Sequence, residues 1–322
     1  MLTNPVVSVV MPVRNGQKFV ELAIQSVLNQ TLKDFELIIV DDGSTDRTWQ
    51  LCKAFQDSRI RLLQNPSTFG VPKSLNRGIL ASRSRYIARL DADDVAMPER
   101  LERQVLFLEQ NPLYGIVGSW MRTIGDRSLI VKYPVQDEDI RSVLLFRTPF
   151  GHPAVTFRKD WDNGFPGLYN EAFLAAQDYD YWDRISKDWK CRNLPECLTE
   201  YRLHDSQHSK INQSIVGHNA SIVSRRQFFK LGLSPLPVAA SRREQESWWD
   251  ELFRRCSHSK AFSLKTLKKE KWLYYTKQKY RPVMNLLRPL RILRPLRFLL
   301  NSLVSLHHLL GKHRPDKLGT LD

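Results

Sequence analysis

The chain has 322 residues, 42% of them apolar, so it can bury the core of one large domain with an appendage, or of two domains. Its four cysteines match no zinc or redox spacing, and no uninterrupted apolar run approaches the roughly 20 residues of a membrane span. The formal net charge is +15, and residues 251–322 hold 17 Lys and Arg against 4 Asp and Glu, so the rest of the chain is nearly neutral.

The first hundred residues alternate between predicted strands and helices. Continuous apolar runs, typical of strands buried on both faces, occur at 6–13, 35–40, 60–63 and 86–90. Apolar residues at helical spacing predict helices at 18–30, 73–81 and about 98–110. This alternation predicts an α/β fold with a doubly wound, mostly parallel sheet that has helices on both sides.

After residue 110 the pattern changes. Strands are predicted at 114–121, 129–133, 151–157 and 194–203. Helices are predicted at 136–146, from 177 onwards and at 213–232. The irregular stretch 160–176 is too long for a simple connection, and such loops are often functional.

These patterns divide the chain into three parts. The predicted globular domain is 1–232, with one part at about 5–110 and a second at about 111–232. A segment with prolines and small residues at 233–247 is the predicted linker, and 248–322 is a basic, aromatic, helical extension.

Two groups of acidic residues follow two of the predicted strands. Asp41 and Asp42 come after the strand at 35–40, and a second group comes after the strand at 86–90: Asp91, Asp93 and Asp94. The carboxyl ends of strands in an open parallel sheet form its ligand-binding edge, so the two groups are expected to share one crevice.

Three carboxylates so close together repel one another unless a cation or hydrogen-bond donors neutralise them. Mg²⁺ or Mn²⁺ is held by such oxygen ligands and typically bridges to substrate phosphates. The alternative for Asp91, Asp93 and Asp94 is a solvated acidic turn that caps the following helix. For Asp41 and Asp42 the alternative is ordinary turn chemistry.

Three segments together resemble the N-terminal signatures of family 2 glycosyltransferases. They read Val-Ser-Val-Val-Met-Pro-Val-Arg-Asn-Gly at 7–16, Ile-Val-Asp-Asp-Gly-Ser-Thr-Asp at 39–46 and Leu-Asp-Ala-Asp-Asp at 90–94. Their order and spacing are similar to the nucleotide-sugar-binding half of that family, and the resemblance covers about residues 5–205. It implies a GT-A type fold and an inverting transfer of sugar from a nucleotide-diphospho-sugar to an acceptor hydroxyl, with a glycan or lipid-linked saccharide as acceptor and Mn²⁺ or Mg²⁺ as cofactor.

The resemblance also implies roles for individual residues. Pro12 and Arg14 flank the nucleotide base, and Asp42, together with Asp41, hydrogen-bonds the base. The Asp-x-Asp motif at 91–93 binds the ribose and the metal on the diphosphate, and the segment 201–204 closes over the diphosphate. The implied nucleotide-sugar-binding residues are Pro12, Arg14, Asp41, Asp42, Asp91 and Asp93. The implied metal ligands are Asp93, Asp94 and His204.

The family draws its catalytic base from an acidic pair late in the domain, which here reads Gln177-Asp178. The resemblance therefore implies Asp178 as the base. The alternative for Asp178 is a helix N-terminal acid that stabilises the helix dipole. His204 can equally be a structural histidine at a strand end, and His152-Pro153 can line the acceptor side or begin a strand.

Two other functions are compatible with parts of the pattern. A sugar-phosphate nucleotidyltransferase needs a glycine-rich phosphate loop after the first strand, but the segment 14–18 has a single glycine. A non-catalytic membrane-surface or polyanion-binding protein that keeps the fold is supported by Gln177, which stands where an acid is expected.

The basic tail calls for a separate interpretation. Leu, Ile and Phe interleave with Arg in the repeat at 287–292 and 293–298, a composition suited to an anionic lipid surface. We expect membrane attachment through 265–313 and, since no nucleic-acid-binding motif accompanies the charge, no nucleic-acid partner. With no targeting segment at the N-terminus, the expected location is cytoplasmic, peripheral at the inner face of the membrane.

Overall fold

The structure is a computed structural model that describes residues 4–159, 167–204, 213–235, 240–257 and 259–286. Contacts divide the chain into two compact units, residues 1–264 and 265–322.

Nine strands of the first unit form one sheet. They are β1 (Val7–Val13), β2 (Phe35–Asp41), β3 (Ile60–Gln64), β4 (Tyr86–Arg89), β5 (Val95–Ala96), β6 (Tyr114–Gly125), β7 (Ile130–Val131), β8 (Thr156–Arg158) and β9 (Lys190–Leu203). The spatial order is β3-β2-β1-β4-β8-β6-β9-β5, with β7 paired to β6. Strands β1 to β4 are parallel, β8 runs antiparallel to both its neighbours, and β6 and β9 are parallel.

The helices connect or follow these strands. They are α1 (Val20–Leu28), α2 (Thr48–Ala54), α3 (Val71–Ala81), α4 (Arg100–Gln110), α5 (Asp137–Leu144), α6 (Gln177–Asp188), α7 (Gln213–Lys230), α8 (Arg242–Ser257) and α9 (Leu264–Leu286). The predicted α/β alternation and the mostly parallel sheet are confirmed.

Strand β1 shows why the sheet is covered on both sides. All seven of its residues are buried, and alternate side chains enter two different cores. Val9 packs with residues of α1 and α4 on one face, whereas Val10 packs with residues of α3 and α6 on the other. Helix α3 lies so close to β1 that a Cβ on Gly78 would stand 2.4 Å from a methyl group of Val10. Only glycine fits at that crossing.

Three local predictions differ from the structure. The strand predicted at 151–157 is a 3₁₀ turn, His152–Ala154, followed by the short strand β8, because Pro153 lacks the N–H that a ladder needs. The strand predicted at 129–133 is limited to β7. The segment between the predicted strand at 86–90 and the predicted helix at about 98–110 contains β5, whose two residues pair antiparallel with Glu200 and Thr199 of β9.

The boundary between compact units also lies later than the linker predicted at 233–247. Helix α8 begins inside that linker, at Arg242, and its Trp249 and Leu252 are buried. The ring of Trp249 stacks on Phe146 with centroids 5.4 Å apart. Because these apolar side chains pack on the sheet domain, the first unit continues to Leu264.

Of the basic extension, the structure describes helix α9 as far as Leu286. The predicted repeat at 287–298 and the rest of the tail lie outside the described residues. Among the helices in the described ranges, none combines the length and apolar character that crossing a membrane requires.

Candidate active site

A cleft of about 670 Å³ opens at the carboxyl edge of the parallel strands. Its walls come from the segment after β1, the turn after β2, the start of α3, the loop after β4 and the end of β9. A second depression of about 470 Å³, around Trp248 of α8, contains none of the predicted site residues. The cleft therefore lies at the edge that the predicted strand topology indicates.

Most of the predicted site residues meet in this cleft. Those that line it are Pro12, Arg14, Asp42, Asp91, Asp93 and His204. Asp41 and Asp94 are fully buried beside it, and Asp178 lies at the start of α6, outside its lining.

The carboxylate of Asp42 is held by three donors. Its Oδ1 accepts hydrogen bonds from Nδ2 of Asn65 at 2.7 Å and the backbone N–H of Phe69 at 2.8 Å, and its Oδ2 accepts one from the N–H of Gly70 at 2.9 Å. Burial alone would raise the pKa of Asp42, but these hydrogen bonds outweigh it and lower the pKa. Asp42 is therefore ionised, and by accepting these hydrogen bonds it fixes the loop before α3.

Asp41 is fully buried and does not line the cleft. Its Oδ2 accepts long hydrogen bonds from the N–H of Ser44 at 3.4 Å and Nε2 of Gln64 at 3.3 Å. The turn that follows depends on Gly43, which has φ +68 and whose added Cβ would lie 2.9 Å from the backbone of Ser67. Asp41 thus contributes hydrogen bonds to the turn beneath the cleft.

The second acidic group is packed closely enough to share one ion. One ligand oxygen from each of Asp91, Asp93 and Asp94 lies within 4.8 Å of the others. Nε2 of His204 is 2.8 Å from Oδ2 of Asp93. Asp91 forms an ion pair with the buried guanidinium of Arg89.

Asp94 is the least satisfied member of the group. It is fully buried, and its Oδ1 accepts a hydrogen bond from the backbone N–H of Arg202 at 2.8 Å. Its Oδ2 is buried with no hydrogen-bond partner among the described residues. Such a bare carboxylate oxygen in the interior is costly unless a cation or proton meets it.

The pKa shifts of Asp93 and Asp94 are opposite in direction to the pKa shift of Asp42. Burial raises the pKa of Asp93, and the charge of Asp91 adds to the effect against an opposing hydrogen bond from His204. Burial, followed by the charges of Asp91 and Asp93, raises the pKa of Asp94 well above its usual range. A divalent cation fits this set, because it would neutralise the repulsion and give the bare oxygen of Asp94 a partner.

Strand β5 holds the second acidic group against the end of β9. The β5–β9 pairing places Arg202 beside the acidic loop, where its Nε donates to the backbone oxygen of Asp93 at 2.9 Å. The guanidinium of Arg202 also lies 4.5 Å from the ring centroid of Phe19, and the ring of His204 lies 5.4 Å from the same centroid. These contacts fix the imidazole ring of His204, which lies against Asp93.

Asp178 occupies the first turn of α6 and is half-buried. Burial raises its pKa, while the N–H of Tyr179, the charge of Arg89 and a hydrogen bond from Thr148 oppose the shift. A carboxyl group with a raised pKa is a stronger proton acceptor once ionised, so Asp178 is suited to general base catalysis.

Arg89 is the central residue that sequence reasoning missed. Its side chain is 4% exposed, and its Nε and Nη1 have no hydrogen-bond partner among the described residues. Its charge acts on Asp91, Asp94 and Asp178, so this buried cation influences both the acidic group and the candidate base. The sequence did contain a signal for this role: Arg89 ends an apolar strand just before three carboxylates.

His152 and Tyr169 lie on the same side of the sheet as Arg89. Nε2 of His152 is 3.0 Å from the hydroxyl of Tyr169. Burial, with a further contribution from the charge of Arg89, lowers the pKa of His152 well below its usual range. His152 is therefore neutral at physiological pH, and only the tertiary structure brings it to this region.

Comparisons with known proteins agree with this architecture. The family model "Glycosyl transferase family 2" matches residues 8–177, which is more than half of the chain. The O-antigen biosynthesis glycosyltransferase WbnJ of Escherichia coli is 32% identical over 241 residues, covering 70% of this chain and 89% of that protein. The UDP-Glc:alpha-D-GlcNAc-diphosphoundecaprenol beta-1,3-glucosyltransferase WfgD of Escherichia coli is 29% identical over 228 residues, which cover 70% of this chain and 85% of that protein.

Among solved structures, S. aureus TarS 1–349 in complex with UDP-GlcNAc superposes with a TM-score of 0.58 at 17% identity, covering 98% of this chain and 95% of that one. This likeness shows that the two proteins share the GT-A type fold. The family match and the identity to WbnJ establish that the chain is a glycosyltransferase and belongs to glycosyltransferase family 2.

Proposed function

We propose that this glycosyltransferase moves a sugar from a nucleotide-diphospho-sugar to the hydroxyl of a glycan or lipid-linked saccharide, by metal-assisted single displacement with inversion. The observation that carries the proposal is the undersatisfied group Asp91, Asp93 and Asp94, whose ligand oxygens lie within 4.8 Å of one another at the cleft. A diphosphate leaving group requires charge neutralisation at such a place.

The cleft suits a nucleotide-sugar. TarS has been solved in complex with UDP-GlcNAc, and the name of WfgD contains UDP-Glc. Pro12 and the exposed guanidinium of Arg14 line the cleft, and a guanidinium can stack on a base. Asp42, ionised and lining the same cleft, has lone pairs left to accept a hydrogen bond from a base or ribose.

Asp93, Asp94 and His204 would hold the divalent metal, with Asp91 kept in place by Arg89. When bound, Mn²⁺ or Mg²⁺ neutralises the charge that develops on the departing diphosphate. Arg202 supports this arrangement, since its N–H and Nε bind Oδ1 of Asp94 and the backbone oxygen of Asp93.

Asp178 acts as the general base. It takes the proton of the acceptor hydroxyl as that oxygen bonds to the anomeric carbon, and the bond from that carbon to the diphosphate breaks on the opposite face. The nucleoside diphosphate leaves with the bonding electrons, so one displacement inverts the configuration. A positioned base contributes roughly 10²–10⁴-fold to such a step.

The acceptor and the location follow from weaker signals. The names of WbnJ and WfgD contain O-antigen biosynthesis and a diphosphoundecaprenol, which supports a role in building cell-envelope polysaccharide. The basic extension through 265–313 supports peripheral attachment to an anionic membrane from the cytoplasmic side. Co-sedimentation of the full chain with anionic and neutral vesicles tests this attachment, and equal sedimentation with both would contradict it.

The central experiment screens nucleotide-sugars for Mn²⁺-dependent thermal stabilisation and then for transfer, with the product anomer read by NMR. Asp93→Asn should lose metal-dependent nucleotide binding, whereas Asp178→Asn should bind the nucleotide and lose transfer. Asp34→Asn is the matched control, because Asp34 is exposed and precedes β2, at the opposite edge of the sheet. Full transfer by Asp178→Asn, a retained anomer, or pyrophosphate release from a nucleoside triphosphate would contradict the proposal.

A further inference from the structure

Helix α6, which carries the proposed base, begins in an unusual way. The residue before its first turn, Ala176, has φ 56 and ψ 23, which is left-handed backbone in a residue with a Cβ. No side chain in the described part of the chain caps this helix N-terminus. A non-glycine residue in that conformation costs free energy and persists only where its surroundings enforce it.

The enforcing contact comes from α7. Nδ2 of Asn219 donates a hydrogen bond to the backbone oxygen of Ala175 at 2.8 Å, directly before the left-handed residue. Ala175 is itself 3% exposed, so its carbonyl would lose a buried partner without this side chain. Two residues after Ala176 comes the carboxylate of Asp178.

Two basic side chains of α7 form ion pairs with two buried aspartates of α6. Nη2 of Arg226 lies 2.7 Å from Oδ1 of Asp180 and 2.9 Å from Oδ2 of Asp183, and Nζ of Lys230 lies 2.6 Å from Oδ1 of Asp183. Both aspartates are almost completely buried. Val223 is fully buried in the core that also contains Tyr179.

We propose that Asn219 is a positioning residue for Asp178: by fixing the carbonyl of Ala175 it holds the left-handed turn that sets the direction of the first turn of α6. This inference rests on the proposed role of Asp178 as the base. A displacement of about 1 Å in a reacting group can cost up to roughly 100-fold in rate, so a single hydrogen bond at this turn has a catalytic consequence.

The decisive measurement is the separation of kcat from the KM for donor in the full chain. Asn219→Ala should lower kcat about 10-fold and leave the KM for nucleotide-sugar within about twofold, because the donor cleft is built from other segments. Asn219→Asp should behave similarly, since it preserves size and removes the donor; it also provides the test if the alanine variant fails to fold.

A rescue experiment separates positioning from helix packing. Glycine adopts left-handed backbone without the cost that a Cβ imposes, so adding Ala176→Gly to Asn219→Ala should restore kcat at least threefold. Ala176→Gly alone should change kcat less than twofold. A loss of packing between α6 and α7 would not respond to a glycine at residue 176.

Ser224→Ala is the matched control, because its hydroxyl also donates from α7 to a backbone oxygen, that of Leu145 at 2.6 Å. It should lower stability and leave kcat within about twofold. An unchanged kcat in Asn219→Ala, an equal loss in Ser224→Ala, or absence of glycine rescue would each overturn the inference. If Asp178→Asn remains fully active, the proposed function fails; if it is inactive while Asn219→Ala is normal, only this inference fails.

Discussion

The two acidic groups at the carboxyl edge of the sheet occupy equivalent topological positions and have opposite electrostatics. Asp42 receives three hydrogen bonds that lower its pKa against the effect of burial. Asp93 and Asp94 are buried beside other carboxylates, and their pKa values are raised. The comparison shows that the number of donors around a carboxylate, not its position on the sheet, decides whether its pKa is lowered or raised.

The difference originates in the segments that face each group. The loop before α3 turns its N–H groups toward Asp42, through Phe69 and Gly70. The second group faces its own members, the buried guanidinium of Arg89, and the end of β9. Four changes, from the largest expected effect to the smallest, can break or sharpen this contrast.

The largest effect is expected from Arg89→Met, which removes the buried guanidinium that pairs with Asp91 of the second group. Unfolding should become easier by about 3 kcal/mol, the low end for a broken buried ion pair, because Asp91 is 30% exposed and can be hydrated. Urea unfolding with EDTA or Mn²⁺ measures this. Mn²⁺ should recover part of the loss, and Arg89→Lys, which keeps the charge, should lose less. An equal loss with and without metal would contradict the electrostatic account.

Asp42→Ala should destabilise the protein by about 2 kcal/mol, because three donors lose their acceptor in a buried place. Added Mn²⁺ should return none of this loss, in contrast to Arg89→Met. The same urea titrations apply, with Asp34→Ala as the control expected to stay within about 0.5 kcal/mol of the wild type. Recovery by metal would place Asp42 in the cation site and remove the contrast.

Asp93→Asn should change the stability in the opposite direction. In metal-free buffer the substitution should raise the free energy of unfolding by about 1 kcal/mol, because one of three repelling charges disappears. A gain of this size is typical of single stabilising substitutions. The stabilisation that Mn²⁺ gives the wild type should be lost. Differential scanning calorimetry with EDTA and with Mn²⁺ measures both, and a destabilised metal-free variant would refute the repulsion.

The smallest effect concerns pH. The pKa values of Asp93 and Asp94 are raised above the ordinary 3.8, so their favourable contribution is fully present below pH 3.8 and is lost as the pH rises through the raised values. The metal-free wild type should therefore lose stability with rising pH relative to the double variant Asp93→Asn/Asp94→Asn. Urea unfolding in EDTA across about pH 4–8 tests this, and parallel pH curves would contradict it.

Sequence reasoning succeeded where periodicity and chain order carry the information. Continuous apolar runs predicted β1, β2 and β4, because a parallel strand covered on both faces has no polar side to show. Strand β5 was missed, because two residues cannot show a period. The sequence did not show that the first compact unit continues to Leu264, because burial of Trp249 depends on partners far away in the sequence.

The sequence by itself determined the parallel half of the sheet, the edge at which the cleft opens, and the presence of acidic groups after β2 and β4. The succession of strands along the chain and the spacing of residues are properties of the sequence, and connection rules translate them into a parallel sheet with one ligand-binding edge. Only the tertiary structure decided what each carboxylate does. Hydrogen bonds to Asp42, the ion pair of Arg89 with Asp91, and the hold of Asn219 on the turn before Asp178 depend on side chains that folding brings together. Their energies depend on burial and distance, which residue order does not contain.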